Sequence, residues 1–131
     1  LPSGRCISYA YPSVEWVDDP RFGRTEKLVY WGTKSGKKYG GSQHWTRIEA
    51  YGGMLFQQCC QATARDVLAD ALRNLDAAGY PVVMHVHDEA VAEMKNGTGN
   101  MAEFVRCFQP GAWAAGLPVS AKGWEGARYR K

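Results

Sequence analysis

The chain has 131 residues, of which 45% are hydrophobic and 22% are charged, and its formal net charge is +3. This length allows one domain, or part of one, with a substantial apolar core. No run approaches the roughly 20 apolar residues of a membrane span and no secretory signal opens the chain, which excludes membrane-spanning and secreted classes and indicates a cytoplasmic protein.

The first fifty residues predict strands joined by turns. The segments 5–11 (RCISYAY) and 26–33 (EKLVYWGT) are rich in β-branched and aromatic residues, which is typical of strands. Directly after the second segment, the glycine-rich run 33–41 (TKSGKKYGG) indicates a turn. We expect the strands to be antiparallel neighbours or flaps.

The mild positive charge is clustered at two places in the chain, which makes a nucleic-acid partner possible. Solvation of a loop and of a terminus explains the same pattern equally well. The residues concerned are Lys34, Lys37 and Lys38 in the turn, and Arg128, Arg130 and Lys131 at the end.

Residues 54–78 predict one long amphipathic helix. Apolar residues follow the i, i+3, i+4, i+7 spacing of a helix face at Leu68, Ala71, Leu72 and Leu75. Gly79 suits the position after a helix end, and Pro81 cannot continue the helix. The four cysteines (Cys6, Cys59, Cys60 and Cys107) have no disulfide or zinc spacing, so we expect reduced, mostly buried thiols.

A polar stripe accompanies this helix. Gln57, Gln61 and Arg65 repeat every four residues and share one face, with Gln58 beside it. Solvated polar residues on a helix need no special purpose. The stripe is therefore a candidate contact surface only together with other evidence.

Residues 81–94 predict a β-hairpin. Val82, Met84 and Val86 alternate with polar neighbours, and a second alternation runs from Ala90 to Met94. The short path between the two runs places His87 and Asp88 at or near the tip. After it, residues 95–131 predict a short helix in NMAEFVRCF, then a loop and a last strand or two.

The ionisable residues of the hairpin allow several chemistries. A carboxylate held at a rigid tip is a suitable ligand for a hard divalent cation, which makes Asp88 the metal candidate. The alternative to a metal-binding role is that Asp88 is an ordinary turn residue, since turns favour aspartate. A further alternative is a transition-metal site made by His85 and His87, at i and i+2, with Glu93 on the return strand. Such sites usually lie in many-stranded barrels, and the long helix and few strands argue against one here.

The chain resembles the C-terminal part of a family A DNA polymerase of the bacteriophage or prophage branch. Three segments carry the resemblance, in the family's order: LPSGRCISY at 1–9, YGGMLFQQCCQATARDVLADAL at 51–72 and GYPVVMHVHDEAVAEM at 79–94. The tail GLPVSAKGWEGARYRK is similar to the family's C-terminal end. The fold implied is α+β: a small antiparallel sheet whose motif hairpin packs on a long helix, as one partial palm domain.

The resemblance implies a role for each matching hairpin residue. Asp88 corresponds to one of two aspartates that hold two Mg²⁺ ions, and Glu89 to an accessory acid near the metals and the primer end. His87 corresponds to a residue that contacts the primer's terminal nucleotide.

Helix residues acquire DNA-binding roles in the same way. Gln61 corresponds to a glutamine that contacts the minor groove beside the primer terminus, and Arg65, Gln57, Gln58 and Arg5 are further DNA-binding candidates. Minor-groove acceptors lie at nearly the same place for every base pair, so amide and guanidinium donors can check pair shape without reading sequence. Glu-Asn is common in the family where this chain has Gln57 and Gln58, and lysine is common where it has Met54.

Two parts of the polymerase motif set are missing from these residues. The family has a second aspartate in an upstream Asp-Tyr-Ser-like strand and a fingers helix with Lys and Tyr, whereas Asp18 and Asp19 here have a turn context. Two-metal phosphoryl transfer needs carboxylates from two segments. We therefore expect the isolated chain not to polymerise.

The implied partners are primer-template DNA, deoxynucleoside triphosphates and the missing N-terminal and fingers part of the same polymerase, with no membrane contact. The host would be a bacterial cell and the gene that of a phage or prophage. Apolar surface left bare by the missing part makes self-association of the chain plausible. The alternative function is a stand-alone, non-catalytic nucleic-acid-binding module or a decayed prophage remnant.

Overall fold

The computed structural model describes residues 1–34 and 43–129 and has an α+β fold with small antiparallel sheets and one long helix. Its contacts divide the chain into two compact units, Cys6–Cys60 and Leu1–Arg5 with Gln61–Lys131. No helix within the described ranges is both long and apolar enough to cross a membrane.

Three antiparallel strands form the sheet of the unit Cys6–Cys60. They are β1 (Ala10–Asp19), β2 (Gly23–Lys34) and β3 (His44–Glu49), with β2 in the centre. The segment 26–33 is a strand as predicted. By contrast, β1 begins only at Ala10, so most of the predicted strand 5–11 is irregular.

A bulge explains the late start of regular pairing in β1. Ala10 pairs with Trp31 and Ser13 with Val29, so Tyr11 and Pro12 oppose one residue of β2. Tyr11 has a left-handed φ of +47°, and Pro12 has no N–H to donate to the ladder. Regular pairing therefore runs only from Ser13 onwards, beyond the end of the predicted segment.

The turn after β1 uses Asp19 as a structural residue. Its carboxylate accepts hydrogen bonds from the Arg21 backbone N–H (2.9 Å) and from Lys27 Nζ (2.8 Å). The hydrogen bond from Lys27 is the main cause that lowers the pKa of Asp19 to about 2. Asp18 and Asp19 are nevertheless the last two residues of β1, paired with Arg24 and Gly23, so the turn begins after them and not at them as the sequence suggested.

Helix α1 spans Gly52–Ala77, close to the predicted 54–78. Leu68, Ala71 and Leu75 are buried, as the apolar spacing predicts. At the helix end the Tyr80 N–H donates to Leu75 O (2.9 Å) and the Gly79 N–H donates to Asp76 O (3.0 Å), while Gly79 has a φ of +80°. This is a Schellman motif, in which glycine takes the left-handed position at low cost.

Strands β4 (Val82–Val86) and β5 (Glu89–Ala92) form a separate two-stranded antiparallel sheet. This confirms the hairpin predicted at 81–94. None of the residues in these two strands is buried. We expected the hairpin to pack closely on α1, and this exposure does not indicate such packing.

Helix α2 (Met101–Arg106) confirms the short helix predicted after the hairpin, and it is held by Tyr80. The Asn100 side chain caps the helix by accepting from the Glu103 N–H (3.1 Å). The Tyr80 hydroxyl donates to Glu103 Oε2 at 2.8 Å, and its ring packs edge-on against Phe104 with a centroid distance of 5.4 Å. The end of α1 is thereby fixed to the start of α2.

A short 3-10 helix, Ala112–Ala114, follows and is tied to α1 through Asp70. The indole N–H of Trp113 donates to Asp70 Oδ2 at 2.5 Å, and Arg73 forms an ion pair with the same carboxylate. Trp113, and then Arg73, lower the pKa of Asp70, so this buried carboxyl stays ionised.

The strand predicted near the C-terminus is not present in residues 115–129, which have no regular structure. Gly116, Pro118, Gly123 and Gly126 interrupt this segment, and proline and glycine disfavour a regular ladder. The expectation of buried thiols was wrong as well: Cys6, Cys59 and Cys60 are exposed, although none of the four cysteines forms a disulfide.

Candidate active site

The tip of the β4–β5 hairpin is a two-residue turn made by His87 and Asp88. Val86 pairs with Glu89 across it, which leaves only these two residues to reverse the chain. His87 has a left-handed φ of +54° at the first turn position, a conformation in which histidine is enriched among non-glycine residues. The turn was predicted from the sequence; its left-handed backbone was not.

Asp88 is exposed at the second turn position, directly before β5. A two-residue turn leaves its backbone few alternatives, because both neighbours belong to paired strand ends. The exposed carboxylate is therefore presented outward from a constrained position, which is the property that a metal-binding residue at a hairpin tip requires.

Glu89 is held by a residue far away in the sequence. The Tyr129 hydroxyl donates to Glu89 Oε2 at 2.9 Å. This hydrogen bond to a carboxylate is the first cause of the raised pKa of Tyr129. Sequence reasoning missed Tyr129, because nothing in the local pattern links a terminal tyrosine to a hairpin acid 40 positions earlier.

Asp88 fits the role of one oxygen ligand to a hard cation, but it does not form a complete metal site with its neighbours. Within residues 1–34 and 43–129 no group of three or more His, Cys, Asp or Glu side chains is arranged to hold a metal ion. A hard divalent ion needs several oxygen ligands.

The transition-metal alternative loses its geometric basis. It required His85 and His87 on one strand face, but β4 ends at Val86 and His87 lies in the turn. A bulge at Val83 also shifts the register, since Val82 pairs with Ala92 and Met84 with Val91. Beyond a bulge the side chains change faces, so the simple alternation predicted from Val82 to Val86 is interrupted.

The helix candidates differ in their availability. Gln57, Gln61 and Arg65 are exposed on α1. Gln58 is half-buried: its Oε1 accepts from the Tyr9 hydroxyl at 2.8 Å and its Nε2 donates to the Tyr30 hydroxyl at 3.2 Å. The amide of Gln58 therefore stabilises the core around Tyr30. The side chains of Gln57, Gln61 and Arg65 are instead exposed to solvent.

Arg5, the remaining DNA-binding candidate, is committed to internal contacts. Its Nε lies 2.7 Å from Asp66 Oδ1, and a terminal nitrogen donates to Ala62 O at 3.0 Å. The Ser3 hydroxyl donates to the other Asp66 oxygen at 2.5 Å and is the first cause of that carboxyl's lowered pKa. The side chain of Arg5 is half-exposed, and its contacts with Asp66 and Ala62 connect the N-terminal residues to α1.

The basic clusters lie mostly beyond what the structure describes. Lys37, Lys38, Arg130 and Lys131 fall outside the described residues. Of the two clusters, only Lys34, which is half-buried, and the exposed Arg128 are described.

The whole chain is similar to part of the DNA polymerase of Bacillus phage SP02, with 45% identity over 133 aligned residues. The chain is covered completely by this match but spans only 19% of the relative's length. No protein-family model matches the chain. No solved structure matches it either.

Proposed function

We propose that this chain is part of a DNA-directed DNA polymerase of the family A type and forms the C-terminal part of its palm. The observation that carries the proposal is the similarity along the whole chain to a phage DNA polymerase. The two-residue turn that presents Asp88 beside Glu89 and His87 supports it, because a polymerase palm needs a rigidly placed carboxylate.

In this proposal the hairpin tip faces the primer terminus. Asp88 is the metal ligand, Glu89 is the accessory acid, and the His87 ring positions the terminal primer nucleotide. The exposed donors Gln61 and Arg65 on α1 contact the minor groove of the newly formed pairs, and Gln57 extends the same polar stripe. Gln58 and Arg5 are the further DNA-binding candidates, in addition to the packing contacts described above.

Two Mg²⁺ ions would supply the electrophilic chemistry when bound, by activating the primer 3′-hydroxyl and neutralising the triphosphate. Asp88 would hold them together with an aspartate from another segment of the parent polypeptide. The residues of this chain would orient the primer end and maintain the position of the carboxylate. Deoxynucleoside triphosphate binding would depend on the remaining part of the polymerase, so the isolated chain is expected to be inactive.

The test is substitution of Asp88 in the complete polymerase. Asp88→Ala should lower primer extension by about a thousandfold or more, because removing one member of a group that acts together removes most of its effect. Binding of primer-template DNA should change little, since Asp88 is exposed and makes no contribution to a buried core. Extension is measured at saturating DNA, and binding by fluorescence anisotropy.

Asp76→Ala is the matched control, because Asp76 is an exposed aspartate on the last turn of α1. It should extend primers at the wild-type rate. Retained extension by Asp88→Ala would overturn the proposal, as would an equal loss in both variants.

A primer-template junction separates this proposal from a non-catalytic nucleic-acid-binding module. The complete polymerase should prefer the junction over blunt duplex, whereas a generic binder held by charge should not distinguish them. Comparison at a single fixed salt concentration is required, because both kinds of binding weaken as salt rises.

A further inference from the structure

We infer that Tyr129 is a positioning residue for Glu89: the C-terminal segment 123–129 lies against α2 and the hairpin and orients the Glu89 carboxylate beside Asp88. This inference rests on the proposed function, because it assigns Tyr129 a part in the polymerase reaction. It concerns residues of one compact unit only.

The segment is anchored at its start by a close approach to α2. A Cβ atom on Gly123 would overlap Met101 Sδ and would lie 3.0 Å from Val105 Cγ2. A side chain at position 123 would require Met101 and Val105 to shift, so glycine favours this close approach of the backbone to the helix. Although the segment has no regular secondary structure, its first residue is fixed by packing.

A second close contact shapes the segment further on. A Cβ on Gly126 would lie 2.9 Å from Trp124 Cζ3, so the indole ring folds back over the glycine. The same ring packs against Tyr129, with centroids 6.3 Å apart and an interplanar angle of 36°. Trp124 thus supports the tyrosine from one side and limits where its hydroxyl can point.

The end of this chain of contacts is the hydrogen bond from the Tyr129 hydroxyl to Glu89 Oε2 (2.9 Å). Glu89 is exposed and has a flexible side chain, and it would sample several rotamers without a partner. A neutral hydroxyl donor selects one arrangement and leaves the negative charge of the carboxylate intact. The accessory acid is thereby held in place next to the residue proposed to bind metal.

A double-mutant cycle in the complete polymerase tests this inference. Tyr129→Phe removes the hydroxyl and keeps the ring, so the packing on Trp124 is retained. We expect kcat for single-nucleotide incorporation to fall roughly tenfold, the size expected for one hydrogen bond to a charged group, with little change in KM for primer-template. In a Glu89→Ala background the same substitution should change kcat by less than about twofold, because the acceptor that Tyr129 orients is gone, whereas glutamine would keep an oxygen able to accept the same hydrogen bond.

Tyr11→Phe is the control, since Tyr11 is 78% exposed in the other unit and should tolerate loss of its hydroxyl. An unchanged kcat in Tyr129→Phe would overturn the inference. An equal fall in the wild-type and Glu89→Ala backgrounds, or a fall matched by a lower melting temperature, would also overturn it, since Tyr129 would then act through overall stability or another group.

The Asp88→Ala variant distinguishes failure of the proposed function from failure of the positioning role of Tyr129. If Asp88→Ala abolishes extension and Tyr129→Phe has no effect, the proposed function stands and the positioning role fails. If Asp88→Ala extends normally, the proposed function fails first, and with it the basis for assigning Tyr129 a part in the reaction.

Discussion

His87 combines a strained backbone with the ring proposed to contact the primer, and two substitutions separate these contributions. Its left-handed φ of +54° costs a residue with a Cβ about 1–2 kcal/mol, whereas glycine adopts it freely. We expect His87→Gly to be more stable than His87→Ala by about 0.5–1 kcal/mol, since the strain released exceeds the added entropy of the unfolded glycine.

Urea unfolding of the two variants checks this expectation, and both should extend primers equally poorly because both lack the ring. Equal midpoints for the two variants would show that the turn imposes no strain. A more active His87→Gly would show that backbone freedom, not the ring, determines activity.

At the residue scale, the sequence predicted where candidate residues lie in the chain's elements, but not which residues they contact. Asp88 was placed at the hairpin tip because a turn must connect two alternating runs, and the structure has it there. The DNA-binding candidate Arg5 pairs with Asp66, 61 positions away, a contact that the sequence did not predict. The candidate Gln58 forms hydrogen bonds with two tyrosines that were likewise not predicted. Such pairings depend on tertiary packing, which a local pattern does not contain.

At the element scale, a buried hydrogen bond connects α1 to the 3-10 helix Ala112–Ala114. The Trp113 indole N–H donates to Asp70, whose residue is only 9% exposed. Trp113→Phe keeps an aromatic ring but removes the donor. We expect it to lower the free energy of unfolding by about 1–3 kcal/mol, because a buried carboxylate loses a partner.

Chemical unfolding of the chain measures this loss. Trp45→Phe is the control, because Trp45 is 58% exposed on β3 and belongs to the other unit. It should leave the midpoint nearly unchanged. A stability loss in Trp113→Phe no greater than that of the control would contradict the structural role of the hydrogen bond.

The sequence predicted elements well where local signals agreed. Helix α1 was found because apolar spacing, Gly79 and Pro81 all mark the same helix and the same end. The late start of β1 was missed because a bulge at Tyr11 and Pro12 interrupts a run with strand-like composition. The predicted last strand is not seen in residues 115–129, where small residues allow close packing against α2 instead of strand pairing.

At the scale of the whole molecule, the three-stranded sheet carries exposed apolar side chains on one face. Val14 and Leu28 are paired across β1 and β2, and Trp16 lies two residues further on the same face. Their exposed fractions are 66%, 36% and 59%, respectively. Apolar surface of this kind marks an interaction site or promotes association.

We therefore expect the isolated chain to self-associate as its concentration rises, as judged by sedimentation velocity. Val14→Lys should shift the distribution toward monomer, because it introduces charge into the apolar face. Ser13→Lys is the control, since successive residues of a strand point to opposite faces. The same shift in both variants would indicate a general effect of charge and would contradict this role of the apolar face.

The central claim is that Asp88 holds a catalytic metal ion at the hairpin tip of a DNA polymerase, and metal-directed cleavage tests it most directly. Fe²⁺ can replace Mg²⁺ at oxygen-rich sites, and with ascorbate and peroxide it generates radicals that cut the nearby backbone. In the complete polymerase bound to primer-template, we predict a cut at residues 86–89 that excess Mg²⁺ suppresses and that Asp88→Ala abolishes. Cleavage only elsewhere, or a cut at 86–89 that persists in Asp88→Ala, would contradict the account.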